Sequence, residues 1–285
     1  MGTYAVTGSA SGMGYQAAER LRSSGHRVVG VDLRDADVVA DLSTQQGRTA
    51  AAEGVLEAVD GGRLDGAVLA AGIGPTPGAD RPRLIYQVNY LGVVDLLTAW
   101  QPALAAAKNA KVVVVASNST TTTPAVPRRA VRALLAGDPE KAQRAVRLFG
   151  RAAPPMAYAA SKLAVSRWVR RQAVTADWAG AGIRLNALAP GAIMTPLLEK
   201  QLATPREAKA VNAFPVPVGA FGDAGQLADW MLFMLSDAAD FLCGSVIFVD
   251  GGSDAYFRAD SWPQRPAMLS LPRYLWRFAT FPRRR

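Results

Sequence analysis

Short apolar runs bounded by Gly, Asp or Pro alternate along this chain with longer stretches whose apolar residues recur at three- and four-residue spacing. Runs of that length suit strands buried on both faces, and the longer stretches suit helices packed over them. The pattern predicts strands at 3–7, 27–32, 38–40, 64–70, 111–116, 183–188 and 245–249. Helices are predicted up to Ser24 with Gly25 as the stop, over 83–107, over 158–179, briefly over 197–201, and over 225–235. One stretch, 120–157, breaks the rhythm. It opens on a threonine run with Pro124 and Pro127, and Asp138-Pro139-Glu140 then starts a helix predicted to stop at Gly150. Strands alternating with helices define an α/β class: a Rossmann-type, doubly wound, parallel seven-stranded sheet flanked by helices, with a helical insertion at 120–157. Residues 1–257 are expected to form one domain and 258–285 a separate tail, and no internal repeat is visible.

Composition narrows the class. Half the chain is apolar, yet no run approaches the roughly 18–20 residues that span a bilayer. The first residues lead directly into a strand without the layout of a signal peptide. The single cysteine, Cys243, excludes an intrachain disulfide, so a reducing cytoplasmic setting is expected. The only histidine, His26, follows Gly25 at a helix-to-strand turn and reads as structural. The net charge of +9 is localised: 255–285 holds seven Arg against one Asp, and 120–157 holds seven Lys or Arg against two acids. What is left is slightly acidic, which argues against a nucleic-acid-binding domain.

Candidate chemistry follows the strand ends, since ligands of open α/β sheets lie beyond the carboxyl ends of the strands. After the first strand, Gly8, Ser11, Gly12, Met13 and Gly14 form a glycine-rich turn into a helix, suited to a pyrophosphate at the helix N-terminus. Asp32 ends the second strand, where a carboxylate accepts the ribose hydroxyls and repels a 2′-phosphate; this favours NAD, with Arg34 dissenting. Asp41 and Leu42 could cradle the adenine or simply lead into a helix cap, and Ala71 and Gly72 leave room for a ribose. Asn89 sits in an apolar helical region, where its amide needs partners. Ser117 ends the fifth strand, and Tyr158 and Lys162 lie one helical turn apart on one face. Apolar Met156, Ile193, Met194, Leu197 and Leu198 flank this group and suit either a substrate wall or ordinary packing.

Together these residues resemble the short-chain dehydrogenase/reductase family. The glycine motif T-G-x-x-x-G-x-G lies at 7–14, the serine is Ser117, Y-x-x-x-K is carried by Tyr158 and Lys162, P-G-x-x-x-T lies at 190–195, and D-G-G at 250–252. One departure stands out: the family's Asn-Asn-Ala-Gly is Leu69-Ala70-Ala71-Gly72 here. The gap of 41 positions between Ser117 and Tyr158 is long for the family. The resemblance implies an NAD(H)-dependent interconversion of a secondary alcohol and a ketone, with a hydroxysteroid or other bulky apolar carbonyl compound as the small-molecule substrate. In that scheme Tyr158 is the acid/base, Ser117 polarises the carbonyl oxygen and Lys162 lowers the tyrosine pKa and holds a ribose. Asn89 anchors a proton-relaying water, Ile193 and Thr195 meet the nicotinamide end of the cofactor, and Ser117, Met156, Tyr158 and Met194 meet the substrate. No metal is required, and a homodimer or homotetramer is expected. The alternatives are a reductase of acyl-chain or small secondary-alcohol substrates and a non-catalytic nucleotide-binding regulator. In the tail, Leu271, Tyr274, Leu275, Phe278 and Phe281 share a helical face, with Arg273, Arg277 and Arg284 elsewhere. That pattern suits packing on the body or a second subunit, with membrane-surface contact as the alternative.

Overall fold

A computed structural model describes residues 1–59, 62–262 and 271–281. Among them, the strands β1 (Thr3–Thr7), β2 (Arg27–Asp32), β3 (Val38–Val39), β4 (Gly66–Leu69), β5 (Lys111–Val115), β6 (Arg184–Pro190) and β7 (Val246–Val249) form one parallel sheet in the order β3-β2-β1-β4-β5-β6-β7. The order reverses direction at β1/β4, the switch point at which such sheets open a crevice. A second, two-residue ladder pairs Ile193–Met194 with Gly222–Asp223.

The helices are α1 (Gly12–Ser23), α2 (Gln45–Ala58), α3 (Arg81–Tyr86), α4 (Gly92–Ala106), α5 (Ser119–Thr122), α6 (Arg128–Leu135), α7 (Pro139–Arg147), α8 (Ala153–Gln172), α9 (Pro196–Leu202), α10 (Pro205–Asn212), α11 (Ala224–Leu235), α12 (Ser253–Arg258) and α13 (Leu271–Ala279). The strands explain why both layers form. On β5, Val112 and Val114 enter the core on one face while Val113 and Val115 enter the core on the other. β1 does the same with Ala5 against Tyr4 and Val6, and β4 with Ala67 and Leu69 against Val68. A strand with apolar residues on both faces must be covered twice. Trp100 and Leu104 of α4 and Val165 and Val169 of α8 cover one face, while Ala17 and Leu21 of α1 and Leu227 and Met231 of α11 cover the other.

Several local expectations shift. The long helix starts at Ala153, with Pro154 in its first turn, so Tyr158 stands in the second turn rather than at the N-terminus. Proline is admissible there because first-turn N–H groups have no intrahelical acceptor. The same helix ends at Gln172, and a wide turn at Ala176–Gly180 follows. Inside the insertion, α6 precedes the predicted α7. Its apolar positions Val131 and Leu134 are buried against the body, whereas Arg129 and Arg132 are exposed. The loop-rich stretch after Leu202 contains α10. His26 is structural: its Nδ1 accepts the Gly2 N–H at 3.1 Å and its ring stands edge-on to Tyr4 at 5.0 Å.

Candidate active site

Register brings the motifs to one edge. Thr7 pairs with Val31 on one side and Leu69 on the other, and Val115 pairs with Leu188. The residues that follow these strands therefore meet: Gly8, Ala70 to Gly72, Ser117 and Pro190.

The glycine turn is shaped by close approach. Gly8 has φ +71°, and a Cβ there would lie 2.9 Å from the Ala71 backbone nitrogen. The Thr7 hydroxyl accepts the Ala71 N–H at 3.1 Å, so the loop after β4 is tied to β1 despite the missing asparagines. Gly14 packs α1 onto the turn, since a Cβ there would be 2.3 Å from the Gly8 carbonyl oxygen. Ser11 precedes α1 with extended backbone and makes no side-chain cap. The first-turn N–H groups of α1 thus lack the usual side-chain acceptor and suit an anion. Asp32 accepts Ala10 N–H at 2.9 Å on one oxygen and Leu33 N–H at 2.7 Å on the other, which holds the carboxylate beside the turn. Arg34 points into solvent with Asp35 at 3.8 Å, away from this turn. A bare turn at a helix start and an oriented carboxylate fit a dinucleotide lacking a 2′-phosphate.

Farther along, Asp41 and Leu42 separate. The Asp41 carboxylate accepts Ser43 N–H at 2.8 Å and remains exposed, whereas Leu42 is buried beneath Gly92. Thr44, not Asp41, caps α2 by accepting Gly47 N–H at 2.9 Å.

A cavity of about 520 Å³ opens at the centre of the edge. Met13, Gly72, Ser117, Tyr158, Lys162, Ile193 and Thr195 all border it. Ser117 is buried, and its Oγ accepts Ser119 N–H at 3.1 Å. Lys162 is buried, its Nζ donating to the Val115 carbonyl at 2.7 Å and standing 5.9 Å from the centre of the Tyr158 ring. Burial pulls the Lys162 pKa down to about 8. Asn89 lies in a wide π-type turn, Gln87–Leu91, between α3 and α4. Its Oδ1 accepts Ile73 N–H at 2.8 Å and its Nδ2 donates to the Ile73 carbonyl at 3.0 Å, satisfying the amide and fixing the loop beside Gly72. Such turns interrupt a helix at a cost and concentrate at functional sites.

One electrostatic expectation is corrected. The Tyr158 pKa is raised, chiefly by burial, with the Ser117 hydroxyl opposing as the lesser effect. Lys162 does not reverse this, because its own charge is disfavoured by burial and its ammonium is committed to the Val115 carbonyl. Tyr158 is therefore held protonated at neutral pH.

This assigns a stability cost to Lys162. Its folded-state pKa lies below the ordinary 10.5, so between about 8 and 10.5 the unfolded chain binds the extra proton. On this group alone, stability rises with pH across that window. Lys162→Met is expected to abolish that slope and to melt no lower than the parent near pH 7, while losing turnover. Thermal melts of the unliganded protein across the window check this.

Two expected substrate contacts do not border the cavity: Met156 packs against the main core and Met194 is 39% exposed. Met156 lies on the side of α8 that packs into the core, and Met194 in the short ladder with Gly222–Asp223. Ile193, Leu197 and Leu198, the other apolar wall candidates, do border it, joined by Pro155 at the start of α8, Gln201 of α9, and Val211 and Phe214 beyond. Asn118 also borders the cavity. It is buried, donates its backbone N–H to the Pro190 carbonyl at 2.9 Å, and its side chain reaches Asp250 at 3.4 Å. A polar residue directly after Ser117 was the available signal for it. Thr195 caps α9 by accepting Leu198 N–H at 3.4 Å, opposite Gly12.

The comparisons with known proteins agree with this geometry. The short chain dehydrogenase profile matches residues 3–127, and the Enoyl-(Acyl carrier protein) reductase profile of the same group matches 144–254. The chain is 38% identical over 258 residues to the 3-alpha-hydroxysteroid dehydrogenase/carbonyl reductase of Comamonas testosteroni, covering 90% of this chain and 98% of that one. It belongs to the short-chain dehydrogenase family. The crystal structure of the 3-alpha-hydroxysteroid dehydrogenase from Pseudomonas sp. B-0831, complexed with NADH, superposes with a TM-score of 0.84 at 42% identity, over 91% of this chain and 100% of that one. A galactitol 2-dehydrogenase from Cereibacter sphaeroides is 29% identical over 87% of this chain and 93% of its own length. The two family profiles leave 128–143 unmatched, which is α6 and the first half of α7.

Proposed function

We propose that this protein is an NAD(H)-dependent oxidoreductase interconverting a bulky apolar ketone and its secondary alcohol, of hydroxysteroid type. The observation that carries the reading is the convergence of Ser117, Tyr158 and Lys162 on one largely apolar cavity beside the glycine turn. Gly8, Ser11, Gly12, Met13, Gly14 and Asp32 would hold the dinucleotide's phosphates and ribose, with Ala71, Gly72, Ile193, Thr195, Tyr158 and Lys162 around its nicotinamide end. The bound cofactor supplies the hydride. Ser117 and Tyr158 both hydrogen-bond the substrate's carbonyl oxygen, polarising it, and Tyr158 delivers the proton as negative charge develops there. Its raised pKa keeps the proton on the phenol until charge develops on the substrate oxygen, and the reverse reaction returns the proton to the phenolate. Asn89 holds the 73–74 loop in place, and we assign the proton route from bulk water to its turn and Lys162. Lid helices α9 and α10 and the apolar Leu197, Leu198, Val211 and Phe214 exclude water.

Size supports a bulky substrate. A second cavity of about 700 Å³ shares Pro75, Pro155, Gln201 and Val211 with the first and is bounded on its far side by Gly150 and Arg151 of the insertion. We assign residues 1–257 to one catalytic domain and 120–157 to its substrate-selecting insertion, working in the cytoplasm as a homo-oligomer. The sugar-alcohol relative shows that the fold leaves the substrate open. Absorbance of NADH and of NADPH, each followed with steroid, aromatic, small aliphatic and acyl-thioester ketones, tests the reading. Turnover confined to acyl thioesters would replace it. Asp32→Ala is expected to raise the KM for NADH by roughly 10–100-fold and narrow its advantage over NADPH, the loss of a charged hydrogen bond being worth about 1.5–3 kcal/mol. Better use of NADPH by the parent would overturn the Asp32 assignment.

A further inference from the structure

Among the described residues, none beyond Phe214 borders the cavity. Both family profiles end by residue 254, and the Comamonas and Pseudomonas proteins leave about a tenth of this chain unmatched while being covered over 98% and 100% of their own lengths. Composition changes abruptly there: residues 261–285 contain six Arg and neither Asp nor Glu. The body holds the chain firmly up to this segment. Arg258 pairs with Asp254 at 2.5 Å, and its guanidinium lies 5.6 Å from the Phe248 ring and 5.3 Å from the Trp262 ring.

Beyond it stands α13, and its large side chains are open to water. Leu271, Tyr274, Leu275 and Trp276 are between 50% and 64% exposed, and Phe281 after the helix is 69% exposed. Arg284 and the side chain of Phe278 lie outside the described residues. Helical spacing sorts the side chains. Leu271 and Leu275, four apart, form an apolar stripe, and Arg273 and Arg277, four apart, form a basic one. Tyr274 borders the basic stripe on one side and Trp276 on the other. Side chains this apolar call for a cover, and the cover must also accept a concentration of arginines. Outside its two basic segments the chain carries only a slight net negative charge.

We propose that α13 seats the protein on an anionic lipid surface, lying in the plane of the interface. Leu271 and Leu275 enter the acyl boundary, Tyr274 and Trp276 lie at headgroup level, and Arg273 and Arg277 meet lipid phosphates. The attachment is peripheral: α13 has nine residues, and among the described residues no helix is long and apolar enough to cross a membrane. The inference stands independently of the substrate assignment.

Co-sedimentation of the full chain with vesicles of phosphatidylcholine alone, and of phosphatidylcholine with phosphatidylglycerol, tests it. Binding is expected only with the anionic lipid and is expected to weaken as salt screens the surface charge. Arg273→Glu/Arg277→Glu and Leu271→Ser/Leu275→Ser should each lower vesicle affinity at least about tenfold, given roughly 1 kcal/mol per interfacial arginine, with turnover in solution unchanged. Absence of pelleting, or equal pelleting on both vesicle types, would overturn the proposal. So would a fall in solution mass of the Leu271→Ser/Leu275→Ser variant measured by sedimentation velocity without lipid, which would assign the stripe to a second copy of the chain.

Discussion

Tyr158→Phe is expected to lower kcat for ketone reduction by roughly 10²–10⁴-fold while NADH still binds, because the variant removes a proton donor and little volume. The phenol is the group whose geometry and protonation both suit the task. It borders the cavity, contacts the Ser117 hydroxyl, and is kept protonated by burial. Ser117 remains in the variant to polarise the oxygen, so some turnover should persist, and a solvent isotope effect on it should change as water replaces the phenol. Stopped-flow hydride transfer beside fluorescence titration of NADH separates the two effects. Equal kcat in parent and variant would remove Tyr158 from the chemistry and reopen the regulator reading.

Gly14→Ala is expected to weaken NADH binding by about 100-fold, since a misplacement near 1 Å is enough for an effect of that size. The cause is steric, not conformational. Gly14 has ordinary helical backbone, but an added methyl would lie 2.3 Å from the Gly8 carbonyl oxygen and 2.9 Å from that of Thr7. Both are backbone atoms of the turn, so either α1 lifts from β1 or the turn itself moves. Overpacking of this kind costs about 1–3 kcal/mol, which corresponds to several degrees of melting temperature for a chain of this length. Calorimetric titration with NADH and a thermal melt read the two consequences. At Gly25, where a Cβ meets nothing within 4 Å, substitution by Asn should cost little and leave NADH binding intact. A Gly14→Ala protein that bound NADH like the parent would show that the turn does not hold the dinucleotide.

The two forecasts draw on different kinds of information. Gly8, Gly14, Asp32, Ser117, Tyr158 and Lys162 could be named from sequence because each belongs to a local signal: a glycine turn between strand and helix, a carboxylate at a strand end, a phenol and an amine one helical turn apart. The seven strands and their parallel sheet were legible for a related reason, since an apolar run too short for a helix and buried on both faces has few other places to go; their order came from the structure.

What only the tertiary structure decided concerns direction and environment. Met156 and Met194 lie close in sequence to Tyr158 and Thr195, yet neither faces the cavity. On α8 Met156 packs with the main core while Pro155 and Tyr158 border the cavity, and Met194 lies exposed in a separate short ladder. Asn118 and Phe214 reach the cavity from segments separated in sequence by nearly a hundred residues, a closeness no local pattern encodes. The direction of the Tyr158 pKa shift differs from expectation for the same reason. Sequence places an ammonium nearby, but burial acts on both groups at once, raising the phenol and lowering the amine, and burial is a property of the whole packed fold.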